Sequence, residues 1–150
     1  MDIQELHKSA MELADKADYL KVQGNADEAN TLFRQSLDAE REAALTARQQ
    51  HVGEPTESVL FRSAATLAYT IGDYREAERL VCHGLSGNPP AEIADELRSL
   101  YDTLSMERSI LQMESTSASK EHENVTITIP IRERNLLNIL VRKFGWACIF

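Results

Sequence analysis

Apolar side chains recur every three or four residues in five successive stretches over the first 113 residues of the chain. This spacing places them along one face of an α-helix, the face that packs into a core. The pattern therefore predicts five amphipathic helices. They span about residues 3–22, 26–51, 57–71, 74–85 and 90–113.

Glycine and proline separate these stretches. Gly24 and Gly72 each follow directly on an apolar-periodic run, in the position where helices commonly end with a left-handed residue. Residues 53–56 and 86–90 contain both Gly and Pro, which break helices. Short breaks between consecutive helices predict antiparallel helix pairs, so the predicted fold is mainly α.

A different pattern follows the fifth predicted helix. Residues 115–124 show no apolar period and indicate a flexible linker. Residues 125–129 alternate between a β-branched apolar residue and Thr, which predicts a strand, and residues 131–144 carry the apolar stripe of one more helix. We therefore divide the chain into a helical domain over 1–114, this linker, and a strand–helix segment over 125–150.

Charge is distributed unevenly along the chain. The net charge is −8, but residues 125–150 hold four basic residues and one Glu, a balance of +3 that leaves −11 for the first 124 residues. A chain of this charge is not expected to coat nucleic acid. The acidic part favours a basic partner, although surface charge also serves solubility alone.

Signals for membrane insertion or export are absent from the sequence. No run reaches the roughly 18 apolar residues that span a bilayer, and the first residues have no basic segment followed by an apolar one. The two cysteines, Cys82 and Cys148, are then expected to be reduced thiols. We expect a cytoplasmic protein with no membrane partner.

The residue types that carry catalysis occur without the spacing that catalysis needs. The four His are scattered, and none has a partner at the i, i+4 spacing of a helical zinc site. Carboxylate pairs such as Asp95 and Glu96 lie near predicted helix starts, where they oppose the partial positive charge. We expect no enzyme activity, no metal site and no cofactor.

The two glycine turns also carry a resemblance to a known family. Residues 10–113 resemble the tetratricopeptide repeat, with small residues where paired helices approach closely. The better copy has Ala65, Gly72, Ala77, Gly84 and Pro89 at the family's small, turn and terminal positions, and the weaker copy has Ala17, Gly24, Ala29 and Phe33. The turn glycines are 48 residues apart, whereas the family repeat has about 34.

The resemblance implies that the first helix of each pair lines a groove that binds a protein or peptide. Alignment with the family assigns Asp18 and Lys21 of the first pair, and Arg62, Thr66 and Tyr69 of the second, to this groove. Arg and Tyr are enriched at interaction hot spots, so Arg62 and Tyr69 are the expected partner contacts. For Tyr69 the alternative is a partly buried packing residue. The expected function is a non-catalytic adaptor or scaffold.

The C-terminal strand needs a partner, because a single amphipathic strand is not stable alone. Residues 146–150 of the same chain could pair with it in parallel, or two copies of 125–129 could pair across a two-fold axis. We favour the second arrangement, a homodimer. The residues expected at its interface are Val125, Ile127, Ile129, Leu137, Leu140, Phe144 and Trp146.

The segment from Val125 to Trp146 is also similar to the strand–helix–Gly-Trp end of some small bacterial antitoxin-like proteins. This similarity implies an alternative function, an antitoxin-like or regulatory protein whose basic C-terminal segment engages a toxin or nucleic acid. A ribbon-helix-helix DNA binder needs two helices after its strand. Only one fits before the sequence ends, so nucleic acid is not the expected partner.

Overall fold

A computed structural model describes residues 2–117, with side chains over 2–113. This part of the chain contains five helices and no strand, which confirms the mainly α prediction. The helices are α1 Ile3–Val22, α2 Ala26–Gln49, α3 Thr56–Thr70, α4 Tyr74–Leu85 and α5 Ala91–Ser117. The predicted strand over 125–129 and the helix over 131–144 lie outside the described residues.

The turns after α1 and α3 have the same backbone geometry. Gly24 and Gly72 adopt φ of +83° and +78°, a left-handed conformation that glycine reaches without steric cost. The next amide in each case reaches back across the turn, with Asn25 N to Leu20 O at 3.0 Å and Asp73 N to Ala68 O at 2.9 Å. These are the hydrogen bonds of a Schellman motif, so both glycines end their helices as predicted.

The end of α2 uses the same motif without glycine. His51 adopts φ of +52°, and Val52 N donates to Ala47 O at 3.0 Å. The sequence contains no breaker before Gly53, so the pattern predicted a helix to about residue 51. The helix ends slightly earlier because the backbone already turns left-handed at His51, two residues before Gly53.

Replacing His51 with glycine is expected to stabilise the fold by about 0.5–1 kcal/mol. A left-handed non-glycine residue costs about 1–2 kcal/mol, part of which glycine loses again to backbone entropy. Urea denaturation followed by far-UV circular dichroism measures the change. The control is Val52→Gly at the next position, which lacks a positive φ; equal effects of the two substitutions would contradict the strain argument.

Consecutive helices pack on each other in the order α1, α2, α3 and α4. The turns between α1 and α2, and between α3 and α4, are short, so the helices of each pair run in opposite directions. Alanine dominates the contact surfaces of α2 and α3, and such small side chains let helix backbones approach closely. The fully buried alanines of these two helices are Ala43, Ala44, Ala47, Ala64, Ala65 and Ala68.

Gly84 shows how tightly α4 is packed. A Cβ atom added at this position would lie 2.8 Å from Leu97 Cδ1 and 3.3 Å from Phe61 Cβ. Both neighbours are completely buried. Because Gly84 has no side chain, α3 and the first part of α5 can pack closely against α4 at this position.

The chain divides into two compact units, residues 1–105 and 106–150. The first contains α1 to α4 and the start of α5. Among the described residues, the second unit contributes the end of α5, including residues 115–117 that the sequence assigned to a linker. The remainder of the predicted linker lies outside the described residues. None of the helices within 2–117 is long and apolar enough to cross a membrane.

Candidate functional site

A groove of about 440 Å³ lies in the first unit, between α1, α3 and the start of α5. These are alternate helices of the chain, so the groove brings together residues that are far apart in sequence. Eight residues line it, and we call this set the α1–α3–α5 groove: Met11, Ala14, Arg62, Ser63, Thr66, Leu67, Glu96 and Leu100.

The floor of the groove is largely apolar and its rim is polar. Met11 and Ala14 contribute from α1, Leu67 from α3 and Leu100 from α5, and all but Leu67 are only half-buried. Exposed Thr66 keeps its hydroxyl occupied, donating to Arg62 O at 2.9 Å. The floor thus presents partly exposed apolar surface with few unsatisfied polar groups.

Arg62 and Glu96 form an ion pair across the groove, from α3 to α5. The side chains are 31% and 54% exposed, so the pair lies at the rim and water screens it. Its neighbour Asp95 turns away and binds Arg98 one turn further along α5, at 2.8 Å. From the sequence, Asp95 and Glu96 were interpreted together as a carboxylate pair near a helix start. In the structure they bind different arginines, Asp95 on its own helix and Glu96 across the groove.

Of the five residues predicted to line a groove, two line the α1–α3–α5 groove and three do not. Arg62 and Thr66 do line the α1–α3–α5 groove. Asp18 and Lys21 are exposed on α1, beyond Ala14 towards the helix end, and are not among the lining residues. Tyr69 is half-buried, is not among the lining residues, and packs its ring against Tyr74, with 5.7 Å between ring centroids.

Sequence reasoning missed most of the floor. Ala14, Leu67 and Leu100 lie in the predicted helices, and periodicity does not show that they line a groove, because an apolar residue at the edge of a helix's apolar face looks the same in sequence as one at its centre. A useful signal is that Met11 and Ala14 are three residues apart, the spacing of neighbours on one helix face.

A second polar cluster joins α2, α3 and α4 around Arg48. Arg48 Nε donates to Glu57 Oε1 at 2.7 Å, and its two terminal nitrogens donate to the ring Nδ1 and backbone oxygen of His83 at 2.8 and 2.6 Å. The guanidinium also lies 4.4 Å from the ring centroid of Phe61, on which the His83 ring stacks. An arginine can only donate, so His83 accepts at Nδ1 and carries its proton on Nε2.

A buried carboxylate links α1 to α2. The Glu40 side chain has no exposed surface, and both of its oxygens lie within hydrogen-bond distance of His7 Nδ1, at 3.0 and 2.9 Å. His7 itself is 41% exposed. Since a buried charge is costly without a partner, this pair is part of the packing between the first two helices.

Within the described residues these polar groups connect neighbouring helices to one another. Across residues 2–113, no three His, Cys, Asp or Glu side chains form a group that could hold a metal ion. Buried side-chain nitrogen and oxygen atoms in this part all have hydrogen-bond partners. No protein-family model, curated protein or solved structure matches the chain.

Proposed function

We propose that this chain is a non-catalytic interaction module that binds a segment of a protein or peptide in the α1–α3–α5 groove. The single observation that carries this proposal is the groove itself. Its floor exposes apolar surface from three helices, and its volume of about 440 Å³ falls in the usual range of binding pockets, about 300–1,000 Å³.

The composition of the groove supports binding of apolar side chains next to polar groups. Met11, Leu67 and Leu100 offer apolar contact, while Arg62 and Glu96 at the rim can orient a partner. Arginine is among the residues enriched at binding hot spots. A longer partner that continued along α1 would meet Asp18 and Lys21, which keeps these two in the proposal.

Filling the groove with a large side chain is expected to abolish partner binding. Thr66→Trp places an indole where the apolar floor is now open, and we expect at least about a tenfold loss of affinity from this clash. Peptides selected from a random display library against the full chain provide the ligands. Their dissociation constants, measured by fluorescence anisotropy, check the prediction.

Thr31→Trp is the matched control for this experiment. Thr31 is also exposed on a helix and makes the same kind of bond, donating to the carbonyl four residues earlier, Asp27 O, at 3.0 Å. It lies on α2, which does not line the groove. Peptides that bind wild type and both variants with equal affinity would place the binding site elsewhere and contradict the proposal.

We also propose that the module self-associates through the segment after residue 124, on the strength of its sequence pattern. Ile127→Lys puts a charge on the apolar face of the alternating stretch and is expected to convert a dimer into a monomer. Light scattering of the full chain measures the mass. Thr126→Lys, on the opposite face of that stretch, is expected to leave the dimer intact; a wild-type monomer would contradict the proposal.

A further inference from the structure

We infer that the partner segment for the α1–α3–α5 groove is a basic amphipathic peptide, with apolar side chains for the floor and Lys or Arg residues for the α5 side. This inference rests on the proposed binding function and specifies its ligand. It follows from how charge is distributed over the three helices that form the groove and from which of those charges are already paired.

The negative charge around the groove is concentrated on α5. Within the first unit, residues 91–105 carry four acidic residues against one basic residue, Arg98. On α3, Glu57 and Arg62 balance each other, and α1 carries four acidic residues against three lysines. The wall contributed by α5 is therefore the acidic side of the groove.

Two of the four carboxylates in residues 91–105, those of Glu92 and Asp102, have no ion pair with any residue that the structure describes, and Glu92 is the one on the same side of α5 as Glu96. Glu92 lies four residues before Glu96, so the two project from the same side of α5. Glu96 pairs with Arg62 and Asp95 with Arg98, but Glu92 is exposed and has no ion pair with any residue that the structure describes. Two carboxylates and one arginine leave this side of the groove with net negative charge.

The existing ion pair between Arg62 and Glu96 favours a basic partner over an acidic one. An acidic group aimed at Arg62 would have to displace Glu96, which would then lie beside Glu92 without a cation. A basic group can approach Glu92 and Glu96 without breaking any bond. Like charges placed together at an interface are strongly unfavourable, so the α5 side of the groove favours a positively charged group of the partner.

The apolar floor requires the partner to be amphipathic. Charge alone would attract any basic chain, with strong dependence on salt. The half-buried side chains of Met11 and Leu100 gain from contact with an apolar side chain, since burial of apolar surface is favourable by about 25 cal/mol per Å². The ligand therefore combines leucine-like residues on one face with Lys or Arg at the edge of that face.

Three synthetic peptides of equal length test this inference on the full chain. The first has Leu at i, i+3, i+4 and i+7 with Lys at the polar positions; the second replaces Lys with Glu; the third keeps Lys and replaces Leu with Ser. By fluorescence anisotropy at physiological salt, we expect the first to bind at least about tenfold more tightly than either of the others.

Substituting Glu92 tests whether the preference for a basic peptide comes from the α5 side of the groove. Glu92→Gln is expected to weaken the Lys/Leu peptide by about two- to fivefold, the effect of one exposed ion pair. The matched control is Glu42→Gln on α2, an exposed Glu that likewise has no ion pair to another described residue. The control is expected to leave the affinity unchanged.

The results separate failure of the inference from failure of the binding function. If the Glu/Leu peptide binds more tightly and Thr66→Trp abolishes its binding, the groove function stands and the basic preference is wrong. Equal effects of Glu92→Gln and Glu42→Gln also overturn the inference. If no peptide responds to Thr66→Trp, both proposals fail. A change in mass of the Glu92→Gln chain in light scattering would identify a second copy as the occupant, against this inference.

Discussion

Replacing Phe61 with alanine is expected to lower the free energy of unfolding by about 3–5 kcal/mol, the range for deletion of a fully buried aromatic ring. Phe61 has no exposed surface. Its ring stacks on His83 at 5.4 Å between centroids and lies under the Arg48 guanidinium at 4.4 Å. The substitution leaves a cavity between helices and removes the aromatic face on which the Arg48 cluster packs.

Urea denaturation monitored by far-UV circular dichroism measures this loss. Phe61→Leu keeps most of the apolar volume and is expected to cost much less, because cores tolerate changes that conserve volume. Tyr19→Ala is the surface control, since Tyr19 is 65% exposed, and its effect should stay within about 0.5 kcal/mol. A cost for Phe61→Ala no larger than that for Tyr19→Ala would contradict the packing described here.

Removing the partner of the buried carboxylate is expected to have the second largest effect. His7→Ala leaves Glu40 without its hydrogen-bonded partner while its side chain remains inaccessible to solvent. Loss of one member of a buried charged pair costs about 3–5 kcal/mol. Because His7 is partly exposed, water can enter in its place, so we expect about 2–3 kcal/mol.

A second substitution, at Glu40, distinguishes the effect of the buried charge from the effect of the packing around it. Glu40→Met removes the charge at similar length, so His7→Ala is expected to cost little in that background, and the double-mutant cycle should give a coupling above about 1 kcal/mol. The control is Lys8→Ala, which removes only an exposed pair with Glu12 at 4.0 Å. If His7→Ala costs no more than Lys8→Ala, the buried pair does not stabilise the fold.

The elements that the sequence predicted well depend on local interactions. Gly24 and Gly72 end their helices because a left-handed residue is needed there and glycine adopts it freely. The apolar stripes located five helices because a helix buries one face. His51 shows the limit of this reasoning, since a histidine in a left-handed conformation ends α2 without a sequence signal.

The groove was harder to predict because it depends on contacts between distant residues. Arg62 and Thr66 were assigned to it through the resemblance to a repeat family, but their neighbours Glu96 and Leu100 come from a helix about 30 residues further along. Glu40 lies three residues from both Leu37 and Ala43 on the buried face of α2, so the helical period places it on that face but does not identify its partner. The position of α1 decides the partner, because it brings His7 against the Glu40 carboxylate.

By itself, the sequence determined the helices, their turns and the uneven charge of the chain, because each depends on residues within a few positions of one another. The tertiary structure alone decided which side chains share a surface. It paired Arg62 with Glu96, left Glu92 without a cation within the described region, and buried Glu40 against His7. Those outcomes depend on how α1, α2, α3 and the start of α5 are placed in space, which helix periodicity does not specify.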